Sequence, residues 1–324
     1  MRKRFLGLLL VGFFVFPHQG KSQEVSQSTI DSILSLMSQI VVLAQNPQHH
    51  DVAQVMLQQV VELLATAQGG TDSGSSENDA SDLISENFGV EDKFLVLYEV
   101  QNDELVFRSG EVDQADLAAW DLFQKASDND VREDFVSFFA LIEDNESDLV
   151  AFVSESPLTE KWILVVNIEE FDVEADWNDA VNTLVHEFAH ILSFNDDQVP
   201  DVFYGICPTW YVAEGCPSPR SYYQKFLDAF WTIEDRLLIE DYVTLEEEEQ
   251  FEVLYDWYLE RPGQFVTEYA ATSPGEDFAE SFTFFILEKE LEEDGELIQQ
   301  KISFFEQFPE LQVMKVTINN QLAE

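Results

Sequence analysis

The sequence predicts an α+β fold, with a small sheet early in the chain, one long central helix and a helical C-terminal half. Short runs of β-branched and aromatic residues, typical of strands, are concentrated between residues 94 and 168. Apolar residues recur at helical spacing over residues 177–194 and again in several segments after residue 221. A small sheet whose last strand leads into one long helix indicates an α+β arrangement.

The first 23 residues have the layout of a secretory signal peptide. A basic start, Arg2 to Arg4, is followed by an apolar run over residues 5–16 and then by polar residues. The run is shorter than the roughly 20 apolar residues of a membrane span. We therefore expect a secreted, periplasmic or cell-surface protein with no stable membrane insertion after cleavage. An uncleaved anchor stays open, because no small-x-small cleavage site follows Phe16.

The chain is strongly acidic, with 16 Lys and Arg against 64 Asp and Glu and a formal net charge of -48. Such a surface repels nucleic acid and anionic membranes, so neither is expected as a partner. A hydrophobic content of 45% is enough for a folded core. The sequence leaves three explanations of the negative charge open: a solvated surface, adaptation to salt and loose calcium binding. It does not determine the oligomeric state.

Composition divides the rest of the chain into three parts. Residues 24–68 read as a short helical hairpin, which could dock on the main domain, pair with a partner or act as a pro-segment. Residues 69–82 are a flexible linker rich in Gly, Ser and Asp. Residues 83–324 fit one domain, and we expect this domain to fold without residues 24–82.

Within that domain the elements can be assigned in order. Strands at 94–100 and 105–108 form a predicted hairpin, and an edge strand of the sheet could pair with an extended peptide. Gly295 and Pro309 are interpreted as stop signals for helices. The other predicted strands cover 149–154 and 162–168, and the other predicted helices cover 116–126, 134–141, 221–231, 245–260, 277–290 and 297–308.

The central helix carries an HExxH pattern at His186, Glu187 and His190. Residues four apart share one face of a helix, so both imidazoles point the same way. Two imidazoles at this separation suit a zinc ion, and the Glu between them can act as general base. HExxH alone matches many sequences by accident. Every histidine after residue 50 is nevertheless on this helix.

A catalytic zinc needs a third protein ligand, and the sequence offers two candidates. Glu276 and Glu280 share a helix face, so one could bind the metal while the other accepts the free N–H of a ligating histidine. Glu276 could equally complete a capping box with Ser273. Asp196, six residues after His190, is the second candidate. It requires a left-handed turn at Ser193, where Ser carries a steric cost, so we favour Glu276.

The two cysteines, Cys207 and Cys216, lie close together in a loop-like stretch. In an exported protein such a pair is expected to form a local disulfide. The bridge would make the loop beyond the central helix rigid.

These motifs resemble those of the gluzincin zinc metallopeptidases. HEFAH at 186–190 followed by EDFAESF at 276–282 is similar to the lethal-factor-like branch, and residues 176–312 resemble uncharacterised secreted bacterial zinc metallopeptidases. The resemblance covers under half of the chain and supplies no substrate.

The resemblance implies a zincin-like domain with one catalytic Zn²⁺ and a peptide or protein substrate. By position it makes His186, His190 and Glu276 the ligands, and Glu187 the general base. It makes Glu280 the partner of a ligating histidine, and Tyr269 the phenol that assists the oxyanion. The alternative is an exported protein that binds zinc or a partner at a degenerate site without catalysis.

Overall fold

The structure is a computed structural model, which describes residues 93–110, 117–147, 149–156, 158–159, 161–173, 175–200, 207–243, 245, 247–291 and 295–323. The predicted signal peptide, helical hairpin and linker lie outside the described residues. Every helix and strand named below belongs to one compact unit of the chain.

The described elements are two strands, two helices and three further strands, followed by the remaining helices. The strands are β1 (Phe94–Gln101), β2 (Glu104–Gly110), β3 (Val136–Ile142), β4 (Ala151–Glu155) and β5 (Trp162–Asn167). The helices are α1 (Ala118–Ala126), α2 (Asn129–Phe135), α3 (Trp177–Phe194), α4 (Tyr222–Phe230), α5 (Ile233–Val243), α6 (Glu247–Leu259), α7 (Pro274–Leu287), α8 (Glu296–Phe304) and α9 (Pro309–Leu322). Two 3-10 turns cover Tyr269–Ala271 and Phe305–Gln307.

The strands form one mixed sheet in the order β2-β1-β3-β5-β4. β3 and β5 pair in parallel, and the other neighbours are antiparallel. Every residue of β3 and of β5 is buried, as expected for central strands covered on both faces. β4 is an edge strand and lies against α3. A small sheet followed by helices confirms the predicted α+β fold.

The predicted β1–β2 hairpin is present and turns at Asn102 and Asp103, both of which have positive φ. Two successive residues in this conformation are typical of a type I′ hairpin turn, and Asn and Asp tolerate it best after Gly. The carboxylate of Asp103 accepts from Nε and Nη2 of the buried Arg132 at 2.5 and 2.6 Å. This bidentate pair joins the hairpin turn to α2.

The helix predicted over residues 134–141 is wrong. α2 ends at Phe135, and residues 136–142 form the central strand β3. A strand buried on both faces lacks the alternation of apolar and polar residues, so the run VSFFALI resembles a buried helix segment as much as a strand. Pairing with β1 on one side and β5 on the other selects the strand.

The helical second half differs from the prediction at two places. Neither α5 nor α9 was predicted, and Pro309, interpreted as a stop, is the first residue of α9. Proline is tolerated at the first helical position because its missing N–H would have no intrahelical partner there. Among the described residues, no helix is long and apolar enough to cross a membrane.

The core forms where α3 lies between the sheet and the C-terminal helices. α3 contacts β4, α1 and α7. Rings from α4, α7 and the second 3-10 turn pack edge to face around Phe226, Phe278, Phe282 and Phe305, with centroids 5.2 to 5.5 Å apart in three of these pairs. These rings hold α7 against α4 and the second 3-10 turn. Phe282 of α7 also lies 6.3 Å from the ring of Phe188 on α3, and this packing sets the distance between the polar side chains on α3 and α7.

Candidate metal centre

The two histidines of the HExxH pattern lie on the most buried helix of the site. Asp176 caps the start of α3, because its carboxylate accepts from the N–H of Asp179 at 3.2 Å. The helix is buried from Leu184 to its end. The rings of His186 and His190 are each 4% exposed and their centroids are 4.8 Å apart. Their Nε2 atoms are 3.1 Å apart, so both nitrogens face one point.

Glu276 supplies a carboxylate at the same point. Ser273 caps α7 by accepting from the N–H of Glu276 at 3.1 Å, and Pro274 is the first helical residue. The backbone of Glu276 therefore takes part in the cap while its side chain points elsewhere. Its Oε2 is 3.0 Å from Nε2 of His186 and 3.3 Å from Nε2 of His190.

These three atoms fit a tetrahedral zinc ion. Ligand atoms at about 2.0 to 2.1 Å from zinc are about 3.3 Å from one another, and the observed separations of 3.0, 3.1 and 3.3 Å are close to this value. Among the described residues, His186, His190 and Glu276 are the group of ligand-type side chains whose ligand atoms lie within 4.8 Å of one another. Three groups that each offer a lone pair toward one point require a cation or a proton between them.

The electrostatics of the cluster favour positive charge. Burial acts to lower the pKa of His186, but its hydrogen bonds with Glu276 and Glu280 outweigh burial and raise the pKa well above its ordinary value. Burial acts to raise the pKa of Glu276, but His190 and His186 lower it to about 2. A zinc ion at this point would supply the positive charge that the carboxylates of Glu276 and Glu280 favour.

Glu280 lies on the far side of His186. Its Oε1 is 2.8 Å from Nδ1 of His186, and its Oε2 accepts from the hydroxyl of Thr267 at 2.7 Å. A carboxylate accepts only, so Nδ1 of His186 carries a proton, and in the neutral ring the lone pair of Nε2 is then directed toward Glu276 and His190. This is the tautomer that a metal bound at Nε2 needs.

Glu187 is buried between α3 and the edge strand. Its exposure is 1%, and its Oε2 accepts from the backbone N–H of Val153 in β4 at 3.0 Å. Burial raises the pKa of Glu187 to about 7, against the opposing effect of His186 and His190. A carboxyl group with a pKa near neutrality is suited to accept and release a proton.

Tyr269 lies across the ring of His186, with centroids 5.6 Å apart. Burial raises the pKa of its phenol well above the ordinary value, and the neighbouring carboxylates of Glu276 and Glu187 raise it further. The phenol therefore keeps its proton and can act as a hydrogen-bond donor at the centre.

Asp196 does not belong to the cluster of ligand-type atoms found among the described residues. Ser193 is helical and buried, and α3 continues to Phe194. The left-handed turn that would bring Asp196 back to the histidines is absent, since Asn195 caps the helix in an extended conformation.

Cys207 and Cys216 are joined by a disulfide. The loop they close is also held by Gln224, whose side-chain oxygen accepts from the N–H of Trp210 at 3.1 Å. The half-buried Glu214 lies in this loop and interacts electrostatically with His190.

The sequence interpretation missed three groups at the centre: the N–H of Val153, the hydroxyl of Thr267 and the carboxylate of Glu214. The Val153 group belongs to the backbone, so no residue type signals it. Thr267 and Glu214 lie in irregular segments, where spacing does not predict neighbours. The position of Glu214 between two cysteines was the one available signal.

The fold and this centre define the class of the protein: the chain belongs to a family of zinc-binding metallopeptidases. The family model that matches is described as "Putative zinc-binding metallo-peptidase" and spans residues 143–307, just over half of the chain. The match includes β4, β5, the HExxH helix and the helix that carries Glu276 and Glu280. No curated protein and no solved structure is significantly similar to the chain.

Proposed function

We propose that this protein is an exported peptidase in which His186, His190 and Glu276 hold one zinc ion and Glu187 is the general base. One observation carries the proposal: two imidazole nitrogens and a carboxylate oxygen converge with separations of 3.0 to 3.3 Å, beside a buried carboxyl group on the same helix. Three protein ligands leave a fourth position open, as in catalytic zinc sites.

A zinc ion bound there would supply a Lewis acid that polarises a peptide carbonyl and lowers the pKa of water to about 7. Glu187 takes the proton from the attacking water at its carboxylate and delivers it to the nitrogen of the leaving amine. Its pKa of about 7 supports both steps near neutral pH. Its burial excludes bulk water from the carboxylate.

Tyr269 would donate its phenolic hydrogen to the carbonyl oxygen as negative charge develops on it. The raised pKa of the phenol supports this role, because the proton stays on the oxygen at neutral pH. A preorganised donor of this kind is worth about 100-fold or more in rate. Glu280 holds the ring of His186 in the orientation that presents Nε2.

The arrangement also supports placement in the gluzincin group and in its lethal-factor-like branch. In that group a Glu on a second helix is the third ligand, and an acidic residue one turn later orients a histidine. Glu276 and Glu280 occupy these two positions on α7. The disulfide Cys207–Cys216 supports export, because such bonds persist in oxidising compartments.

The test measures zinc content and peptide hydrolysis in the same preparation. We expect one zinc per chain, hydrolysis of members of a broad peptide library, loss of activity on chelation and recovery when zinc is added. A hydroxamate should inhibit, because it binds an open zinc position. One tightly held zinc with no hydrolysis of any peptide would instead indicate a non-catalytic zinc-binding protein.

A further inference from the structure

The hydroxyl of Thr267 connects two parts of the metal centre that the chain keeps apart. Oγ1 of Thr267 is 2.7 Å from Oε2 of Glu280 on α7. The same Oγ1 is 3.0 Å from the backbone nitrogen of Ala270, in the 3-10 turn that begins with Tyr269. Thr267 precedes both elements in the chain and belongs to neither.

The direction of each hydrogen bond follows from the groups involved. The N–H of Ala270 can only donate, so the Thr267 oxygen accepts there. The carboxylate of Glu280 can only accept, so the single hydroxyl hydrogen of Thr267 points to it. The hydroxyl is thus used as donor and acceptor at once, and the Thr267 side chain has a single orientation that satisfies both partners.

This bond restricts the carboxylate that faces His186. Glu280 uses Oε1 for Nδ1 of His186 at 2.8 Å and Oε2 for Thr267. A Glu side chain has three rotatable bonds and loses considerable rotamer freedom when it is held in place. With both oxygens engaged, the carboxylate plane is fixed, and so is the direction in which it receives the Nδ1 proton.

We propose that Thr267 is a positioning residue of the metal centre. Its hydroxyl holds Glu280 in the orientation that aligns His186, and it links the Glu280 carboxylate to the turn that begins with Tyr269. The inference rests on the proposed function, because it assigns the aligned His186 to zinc. Groups that orient metal ligands typically change zinc affinity by about 10- to 100-fold when they are removed. Thr267 is one hydrogen bond further from the metal than Glu280, so we expect zinc affinity to fall about tenfold, at the lower end of that range.

The experiment measures zinc affinity of the full chain by competition with a chelator, which needs no substrate. Thr267→Val keeps the shape of the side chain and removes the hydroxyl, and zinc affinity should fall about tenfold. Thr267→Ser keeps the hydroxyl and should stay within about twofold of the wild type. Thr267→Ala is the smaller second variant if Val does not fold, and urea unfolding of the zinc-free proteins checks that the fold is intact.

A double-mutant cycle distinguishes two roles of Thr267: positioning the Glu280 carboxylate, and stabilising the 3-10 turn through its bond to Ala270. If Thr267 acts through Glu280, then Thr267→Val in a Glu280→Ala background should not weaken zinc binding further. An unchanged affinity of Thr267→Val, or an equal loss in both backgrounds, would overturn the proposal and leave the zinc site intact. If His186→Ala binds zinc as the wild type does, the proposed function itself fails, which is a different outcome.

Discussion

The backbone N–H of Val153 donates to Oε2 of Glu187 across 3.0 Å, so the edge strand β4 and the helix α3 meet at this carboxylate. A buried N–H on the free side of an edge strand needs an acceptor, and Glu187 provides it. The same burial removes water from the carboxylate and raises its pKa to about 7. The hydrogen bond from Val153 itself acts to lower this pKa, and burial outweighs it.

Glu187→Gln should keep the zinc and lose peptidase activity by at least about 100-fold. The amide oxygen of Gln can still accept from Val153, so the fold and the three ligands are preserved, but an amide cannot take up a proton. Zinc content and initial rates in the same sample measure the two effects. Full activity in the Gln variant would remove Glu187 from the mechanism.

Glu276→Ala should weaken zinc affinity by more than about tenfold, because it removes one of three converging ligand atoms. Asp196→Ala should leave zinc binding unchanged and is the matched control, since both variants truncate a carboxylate close to α3. Chelator competition measures both affinities. The reverse order of effects would make Asp196 the third ligand and would contradict placement in the gluzincin group.

Lys301→Met should destabilise the protein by about 3 to 5 kcal/mol. Nζ of Lys301 is 2.6 Å from Oδ2 of Asp277, and the side chains are 1% and 0% exposed. Removal of the cation leaves a buried carboxylate whose remaining partners are neutral groups such as the indole of Trp231. Urea unfolding measures the change in the free energy of unfolding.

Lys315→Met is the control for that measurement. Lys315 also pairs with a carboxylate, Glu288 at 2.9 Å. Both lysines lie over a phenylalanine ring, Lys301 over Phe265 and Lys315 over Phe285. The side chain of Glu288 is 72% exposed, so this pair should contribute about 0 to 1 kcal/mol. If both variants lost the same free energy of unfolding, burial would not be the reason that the Lys301–Asp277 pair stabilises the protein.

The stability of the protein should depend on the ionised carboxylate of Asp144. Burial acts to raise the pKa of Asp144, but the hydrogen bonds from Lys93 at 2.7 Å and from the N–H of Glu146 outweigh it and lower the pKa below its ordinary value. A lowered pKa in the folded state stabilises the fold above the unfolded-state pKa of about 4. This contribution is lost as the pH falls from about 4 through the lower folded-state pKa.

Asp144→Asn should therefore be less stable than the wild type by a roughly constant 1 to 3 kcal/mol above about pH 5. The difference should shrink as the pH falls below about 4, where the wild-type carboxylate becomes protonated. Urea unfolding across this pH range measures it. Asp197→Asn, at an exposed position, is the control, and a difference that grows toward acid would contradict the assignment.

Residues 83–324, expressed alone, should fold and bind zinc. The prediction comes from the sequence, because residues 69–82 have the composition of a flexible linker. Circular dichroism and zinc content compare this fragment with residues 24–324. An insoluble or unfolded fragment would show that residues 24–82 complete the core, and a rise in activity would show that they inhibit.

Much of the fold was predictable from local pattern. α3 follows the predicted bounds because Asp176 caps it and its apolar residues recur at helical spacing. The β1–β2 hairpin was predictable because Asn102 and Asp103 are turn residues between two strand-like runs. β3 was not, because it lacks alternation and has only Val136 and Ile142 as β-branched residues, whereas the equally buried β5 carries three in the run WILVVN.

By itself the sequence determined which residue types the centre contains and their spacing along two helices, since four-residue spacing places His186 with His190 and Glu276 with Glu280 on shared faces. Only the tertiary structure decided which side chains meet across elements. The packing of α7 on α3 brings Glu276, and not Asp196, within 3.3 Å of both imidazoles. The contacts of Val153 with Glu187 and of Thr267 with Glu280 join residues on different elements, 34 and 13 positions apart. Such contacts are set by the packing of the core, which no local pattern encodes.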